Sequence, residues 1–248
     1  MDNRLAKSVI HRYTSTMHQI KRQTTTTEQS FYHTLNRGVE KRNIFLDKQD
    51  HLRFIHNLYE LNNEDRVETT FHTFKKYPDT AVLGNQKQRK MLVDILAFCL
   101  MPNHYHLLLS PKIEGGVPKF MTKINIGYAK YFNKKYKRVG ALFQGRYKKV
   151  LIADNTHFLH LPFYIHFNPL DLSYPEWRED KITDPRGALE FLKSYRWSSH
   201  LDYSGIKNFP SVINSDLLTE IFDGSRGYEK LVNNYLKDIQ IDPGVALE

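Results

Sequence analysis

Four residues have the types and the spacing for one kind of chemistry. His104 and His106 stand two apart in the run Met101-Pro102-Asn103-His104-Tyr105-His106-Leu107-Leu108-Leu109. On a strand, positions i and i+2 share a face, so the two imidazoles lie side by side while Tyr105 and Leu107 turn away. Two neutral imidazoles on one face can hold a divalent metal. Such a pair needs a third ligand and a chemical partner. Further along, Tyr164 and Asn168 are four residues apart and share a face on a helix, with His160 one turn before Tyr164. A phenol beside a metal held by two imidazoles and an amide oxygen suits phosphoryl chemistry. The metal polarises a phosphoryl oxygen, and the phenol oxygen attacks phosphorus. The product is a phosphotyrosine and a freed 3′-hydroxyl; the reverse attack joins strands without ATP. The plainer reading is an incidental histidine pair, a core tyrosine and an asparagine capping a helix. A chain with 12 histidines and 15 tyrosines leaves that reading open.

The elements that must position these residues follow from periodicity. Met91 to Leu100 and Asn103 to Ser110 read as two antiparallel strands joined by a tight Pro-Asn turn. Phe31 to Gly38 alternates and ends in glycine, as a strand entering a turn does. Asp47 is an N-cap for a helix over 48–61, with Leu52, Ile55, Leu58, Tyr59 and Leu61 at helical spacing. Val117 to Tyr136 is a second helix, with Phe120, Ile124, Tyr128, Tyr131 and Phe132 on one side and lysines on the other; Gly127 weakens it slightly. Arg146 to Ile152 is another strand. Asp154, Asn155 and Thr156 can cap a third helix over 156–167, closed by Asn168-Pro169. Pro162 lies inside it, removes one helical hydrogen bond and tends to kink it. The order strand, helix, strand, strand, helix, strand is the split β-α-β arrangement of a ferredoxin-like fold. It is an α+β architecture, an antiparallel sheet with helices on one face.

Length suits one large domain or one domain with an appendage. The expected division is a polar N-terminal arm over 1–30, a principal domain over 31–170, and a mostly helical C-terminal extension over 171–248 packed on it. Residues 62–90 read as a loop or small insertion. The net charge of +9 is unevenly spread. Residues 1–170 hold 27 lysines and arginines against 13 acidic residues, whereas 171–248 hold 9 against 14. Residues 115–153 hold ten basic residues and no acidic one. Such an acid-free stretch points to a nucleic-acid partner over a merely solvated face. Arg37, Lys41, Lys123, Lys130, Lys134, Lys135, Arg146, Lys148 and Lys149 are candidates to neutralise phosphates. Gln144 and Arg146 line a groove or hold a turn, and Tyr131, Tyr136 and Tyr147 stack on bases or fill core. The single cysteine, Cys99, excludes disulfides and cysteine-based zinc sites and reads as a buried hydrophobe. With no apolar run of membrane length and no signal-peptide segment, the expectation is a cytoplasmic protein without a membrane partner.

The sequence resembles the single-tyrosine HUH transposases, in particular the REP-associated tyrosine transposase branch. The resemblance runs from about Phe31 to Asp171 and continues weakly through Tyr195-Arg196-Trp197-Ser198-Ser199. Four patches carry it. They are Tyr32 to Gly38 with Ile44-Phe45 beyond, Met101 to Leu108, Tyr131-Phe132-Asn133 through Gly140 to Phe143-Gln144-Gly145-Arg146, and Tyr164-Ile165-His166-Phe167-Asn168-Pro169. The chain departs from the family at Pro162-Phe163, where a helix former and a basic residue are more usual. The resemblance implies an enzyme that cuts and rejoins single-stranded DNA beside a hairpin, using Mg²⁺ or Mn²⁺ and a transient 5′-phosphotyrosine. It makes His104 and His106 metal ligands, Tyr164 the nucleophile and Asn168 the third ligand, in a monomer or homodimer. Two alternatives stay open. One is a non-catalytic hairpin-binding relative that regulates DNA or RNA; the other is a metal-dependent hydrolytic nuclease that leaves no protein–DNA adduct.

Overall fold

Phe31–Arg37 forms β1, and the chain then turns at Gly38. A Cβ on Gly38 would stand 2.3 Å from the Arg42 carbonyl oxygen, so only glycine fits there. These positions belong to a computed structural model that describes residues 30–65, 89–179 and 181–237. The expected polar arm over 1–30, apart from Ser30, most of the expected insertion over 62–90 and the last residues, 238–248, of the expected extension therefore lie outside the described residues. Helix α1 (Lys48–Glu60) starts where expected, because the Asp47 side chain accepts from the Asp50 amide. Strands β2 (Val93–Met101) and β3 (His104–Pro111) follow, then α2 (Gly116–Lys135), β4 (Lys148–Ile152) and α3 (Asn155–Phe167). The Asp154 side chain caps α3 by accepting from the His157 amide.

The four strands form one sheet in the order β2-β3-β1-β4, and each neighbouring pair is antiparallel. One face is covered by α1 and α2. There Phe98, Leu100, Tyr105, Leu107 and Leu109 pack against Phe54, Leu58, Phe120, Ile124 and Tyr128.

The other face is covered as well, which corrects the expectation of helices on one face only. Phe31, Ala97, Cys99, Met101, Leu108 and Ile152 share a core with α3 and four later helices. These are α4 (Pro185–Ser194), α5 (His200–Tyr203), α6 (Asp216–Phe222) and α7 (Gly224–Lys237). The physical reason lies in β2 and β3, which are apolar on both faces; Ile95 to Leu100 and Leu107 to Leu109 leave no side suited to water. Helix α3 is likewise apolar all round, with Phe158, Leu161, Phe163, Ile165 and Phe167 buried, so it must lie between two layers. Burying each such side chain is worth about 1.5–3 kcal/mol. Several of them offset the roughly 3 kcal/mol that a proline costs inside a helix. Helix α3 accordingly runs through Pro162 from Asn155 to Phe167.

The same C-terminal stretch covers the outer edge of β2. The amides of Leu100, Ser199 and Asn214 bond the carbonyls of Trp197, Phe98 and Ile95 at 2.8, 3.0 and 2.9 Å. Pairing of this kind leaves no open strand edge there. Among the described residues no helix is long and apolar enough to cross a membrane.

Candidate active site

Strand register decides what stands beside the two histidines. His104 lies between Arg37 of β1 and Met101 of β2, and His106 lies between Leu35 and Cys99. All of these point to the sheet face that α3 covers. His33, one strand-period before Leu35, points the same way. Its Nε2 is 2.9 Å from Nδ1 of His106, and the two rings stack with centroids 5.1 Å apart. On His104, Nδ1 is 2.6 Å from the Asn103 amide oxygen. An amide oxygen only accepts, so Nδ1 of His104 carries the proton and the lone pair of the neutral ring lies on Nε2. The His104 and His106 rings stand 4.9 Å apart at 82°.

Helix α3 lays Tyr164 across this face. Its ring is edge-on to His106 at 5.8 Å and to His33 at 6.0 Å, and the residue is only 2 % exposed. Asn168, one turn on, donates from its side-chain amide to the Tyr164 carbonyl at 2.8 Å. This is the helix-end cap that the plainer reading expects, and it leaves the amide oxygen to another partner. That oxygen and the Tyr164 hydroxyl receive hydrogen bonds from one guanidinium, Arg178, at 3.2 and 3.1 Å. Asp171 binds the same guanidinium at 2.8 and 2.9 Å and accepts from the Trp177 indole at 2.6 Å. Burial alone would lower the Arg178 guanidinium's proton affinity; its bonds to Asp171 and Tyr164 outweigh that and hold it above the usual arginine range.

Two histidines of α3, His160 and His166, have partners in the C-terminal helical layer. His160 Nδ1 is 2.8 Å from the Tyr235 hydroxyl. His166 is fully buried, with Nε2 2.7 Å from Ser199 Oγ and Nδ1 2.7 Å from the Tyr228 hydroxyl. Burial holds its imidazole well below the ordinary histidine range, and His200 nearby adds to this.

The basic candidates divide between two places. Arg37, Lys41, Gln144, Arg146 and Lys148 line one cavity of about 290 Å³ at the β1–β4 side of the sheet. Arg37 also lines a second cavity, of about 500 Å³, with Asn43, Asn103, His104 and Asp171. Lys123, Lys130 and Lys134 lie on α2, the layer on the opposite side of the sheet. The Lys123 ammonium is tied to the backbone carbonyls of Asn63, Glu64 and Asp65. Tyr131 and Tyr136 donate to Asp50 at 2.9 and 2.7 Å, where Lys135 also binds at 2.7 Å. Lys149 stands over the Tyr32 ring.

Three residues escaped the sequence reading of the site. His33 left a signal, since it lies in strand phase with Leu35 beside the expected β1 turn. Arg178 and Asp171 left none, because nothing in an acidic, turn-rich stretch marks one arginine for Tyr164.

Among the described residues, no three histidine, cysteine or acidic side chains gather as a metal site. A divalent ion on this face would therefore take two imidazoles and an amide oxygen. That set is chemically suited to one, since both imidazoles have Nδ1 engaged and an amide oxygen has a second lone pair beyond the one that Arg178 takes on Asn168.

An α+β sheet whose histidine face is roofed by a helix bearing a buried tyrosine is the setting in which the comparisons with known proteins fall. The stretch from 75 to 168 matches the family model described as "Transposase IS200 like", so the class of protein it resembles is a transposase. Over that stretch, less than half of its length, the chain is similar to the IS200-like transposases. The match includes His104, His106, Tyr164 and Asn168 and ends before Asp171 and Arg178. None of the curated proteins matches the chain.

Proposed function

We propose that this chain is a single-tyrosine HUH transposase of the REP-associated kind. It cuts and rejoins single-stranded DNA beside a hairpin, in the cytoplasm, as a monomer or homodimer. The catalytic unit is the ferredoxin-like portion over 31–170, with the extension over 171–248 packed against it. The observation that carries the reading is the Tyr164 ring set edge-on to His106 with its hydroxyl held by a cation.

In the cutting step the Tyr164 oxygen attacks phosphorus, the bond from phosphorus to the 3′ oxygen breaks, and the 5′ side stays on the enzyme as a phosphotyrosine. His104 and His106, through Nε2, and Asn168, through its amide oxygen, would hold Mg²⁺ or Mn²⁺. When bound, the ion supplies polarisation of the phosphoryl oxygen. His33 and Asn103 keep the two imidazoles in the right tautomer and orientation. Arg37, Lys41, Gln144, Arg146 and Lys148 carry the strand's phosphates toward this point, and Lys123, Lys130 and Lys134 add positive field from α2.

The test is incubation with Mn²⁺ and a library of single-stranded oligonucleotides, each a hairpin with randomised flanks, followed by mass spectrometry. The expected result is an adduct on Tyr164 that Tyr164→Phe abolishes while hairpin binding persists. An equal adduct yield from that variant sinks the reading. Tight binding with no nicking by the unaltered chain favours the non-catalytic hairpin-binding protein instead.

A further inference from the structure

The Arg178 guanidinium touches both groups that the proposed reaction uses on α3. It donates to the Tyr164 hydroxyl oxygen at 3.1 Å and to the Asn168 amide oxygen at 3.2 Å. It is itself held in place: Asp171 grips it through two hydrogen bonds of 2.8 and 2.9 Å, and the Trp177 ring lies 4.3 Å from it. The side chain still keeps 27 % of its exposure, so it stands at the boundary of the site rather than in sealed core. It also lies outside the segment that matches the family, which ends at residue 168.

Charge develops on one protein oxygen in this chemistry. During cutting the phenol O–H bond breaks, an O–P bond forms and the bond from phosphorus to the 3′ oxygen breaks. The phenol's proton passes to water, and the 3′ oxygen takes one from water. During rejoining the 3′-hydroxyl attacks and the phenol oxygen leaves phosphorus with the electron pair. In cutting, negative charge appears on the tyrosine oxygen as its proton leaves, before the O–P bond takes up the pair; in rejoining it builds on the same oxygen as that bond breaks. A permanently charged donor already at hydrogen-bond distance stabilises that charge without reorganising. A planar fork can span Tyr164 and Asn168 together, which a lysine's point charge cannot.

We infer that Arg178, supplied by the C-terminal extension, is a catalytic residue of this site. It fixes the Tyr164 hydroxyl against the histidine face and stabilises the negative charge that the tyrosine oxygen bears on losing its proton in cutting and on leaving phosphorus in rejoining. The inference rests on the reading of Tyr164 as the nucleophile.

The experiment uses the full chain with Arg178→Gln, Arg178→Lys and Tyr164→Phe, and a hairpin oligonucleotide from the library above that the unaltered chain cuts in Mn²⁺. Single-turnover rate constants for adduct formation and rejoining are measured at saturating DNA, together with affinity and final adduct fraction. Arg178→Gln is expected to slow both steps about a hundredfold, the usual effect of removing one donor to a developing oxyanion. Affinity and final adduct fraction should stay as they were, and Arg178→Lys should recover part of the rate. A purely structural arginine would instead lower the fraction of active molecules at an unchanged rate constant, and that outcome, or full speed in Arg178→Gln, overturns the inference. If Arg178→Gln does not fold, Arg178→Lys decides: a slowed rate constant at full adduct fraction supports the role, and an unchanged one overturns it. Adduct formation by Tyr164→Phe, or an intact library with the unaltered chain, brings down the reading of the nucleophile and this inference with it. An inactive Tyr164→Phe beside a fully active Arg178→Gln brings down the arginine's role alone.

Discussion

His33 and His106 share a 2.9 Å hydrogen bond between adjacent strands, ring stacked on ring. When His106 offers Nε2 to a metal, its Nδ1 carries the proton and His33 accepts it. Partners of this kind usually set metal affinity by one to two orders of magnitude. His33→Phe is therefore expected to raise the Mn²⁺ concentration for half-maximal cutting by about 10–100-fold. A cleavage titration against Mn²⁺ checks this, and an unmoved midpoint would reduce His33 to packing. The double variant His104→Ala, His106→Ala should show no cutting in Mg²⁺ or Mn²⁺.

The two groups of basic residues should behave differently toward DNA. Arg146 and Lys148 line a cavity beside Arg37, whereas the Lys123 ammonium sits on three backbone carbonyls. Arg146→Ala or Lys148→Ala should each lower the slope of log affinity against log salt by about 0.7 for a single strand. Lys123→Ala, which removes only distant positive field, should change that slope far less and cost about 1 kcal/mol of stability through its lost hydrogen bonds. Binding isotherms at several salt concentrations, with denaturant unfolding alongside, separate the two effects.

Acid should weaken the packing behind α3. His200 is fully buried with Nδ1 2.9 Å from the Tyr228 hydroxyl, which also meets His166. Burial, with a smaller push from Lys193, lowers the His200 imidazole to about 4. An unfolded histidine titrates near 6.5. Above that pH both states are neutral and the group contributes no pH dependence. As pH falls from about 6.5 toward 4, the unfolded chain takes up a proton that the folded chain refuses. Stability is lost across that window, by about 3 kcal/mol for this group alone. Denaturant unfolding at pH 7.5 and 4.5 measures the loss, and His200→Gln should flatten it.

Phe163 joins α3 to the last helices, with its ring 4.6 Å from Tyr235, 5.1 Å from Phe222 and 5.6 Å from Tyr228. Phe163→Ala is expected to cost about 3–5 kcal/mol, since it opens a cavity between these two layers. Thermal and denaturant unfolding would show it. A loss below 1 kcal/mol would mean that the C-terminal helices hold to the sheet without α3.

Several features were legible in the sequence because their causes are local. Asp47 and Asp154 cap helices through amides three residues away, and the alternation in Asn103 to Ser110 puts both histidines on one face. The four-residue step from Tyr164 to Asn168 sets them one helical turn apart. The tertiary structure alone decided the rest. His33 reaches His106 across 73 positions, and Arg178 reaches back to Tyr164 across 14. Those meetings depend on strand order, on register and on the path of the extension, none of which leaves a periodic trace. A run of lysines likewise does not say which side of the sheet it will occupy. The second helical layer divides between the two: a helical extension after Asp171 packed on the domain was expected from the sequence, but only the folded chain shows that it joins α3 on the face that carries the histidines.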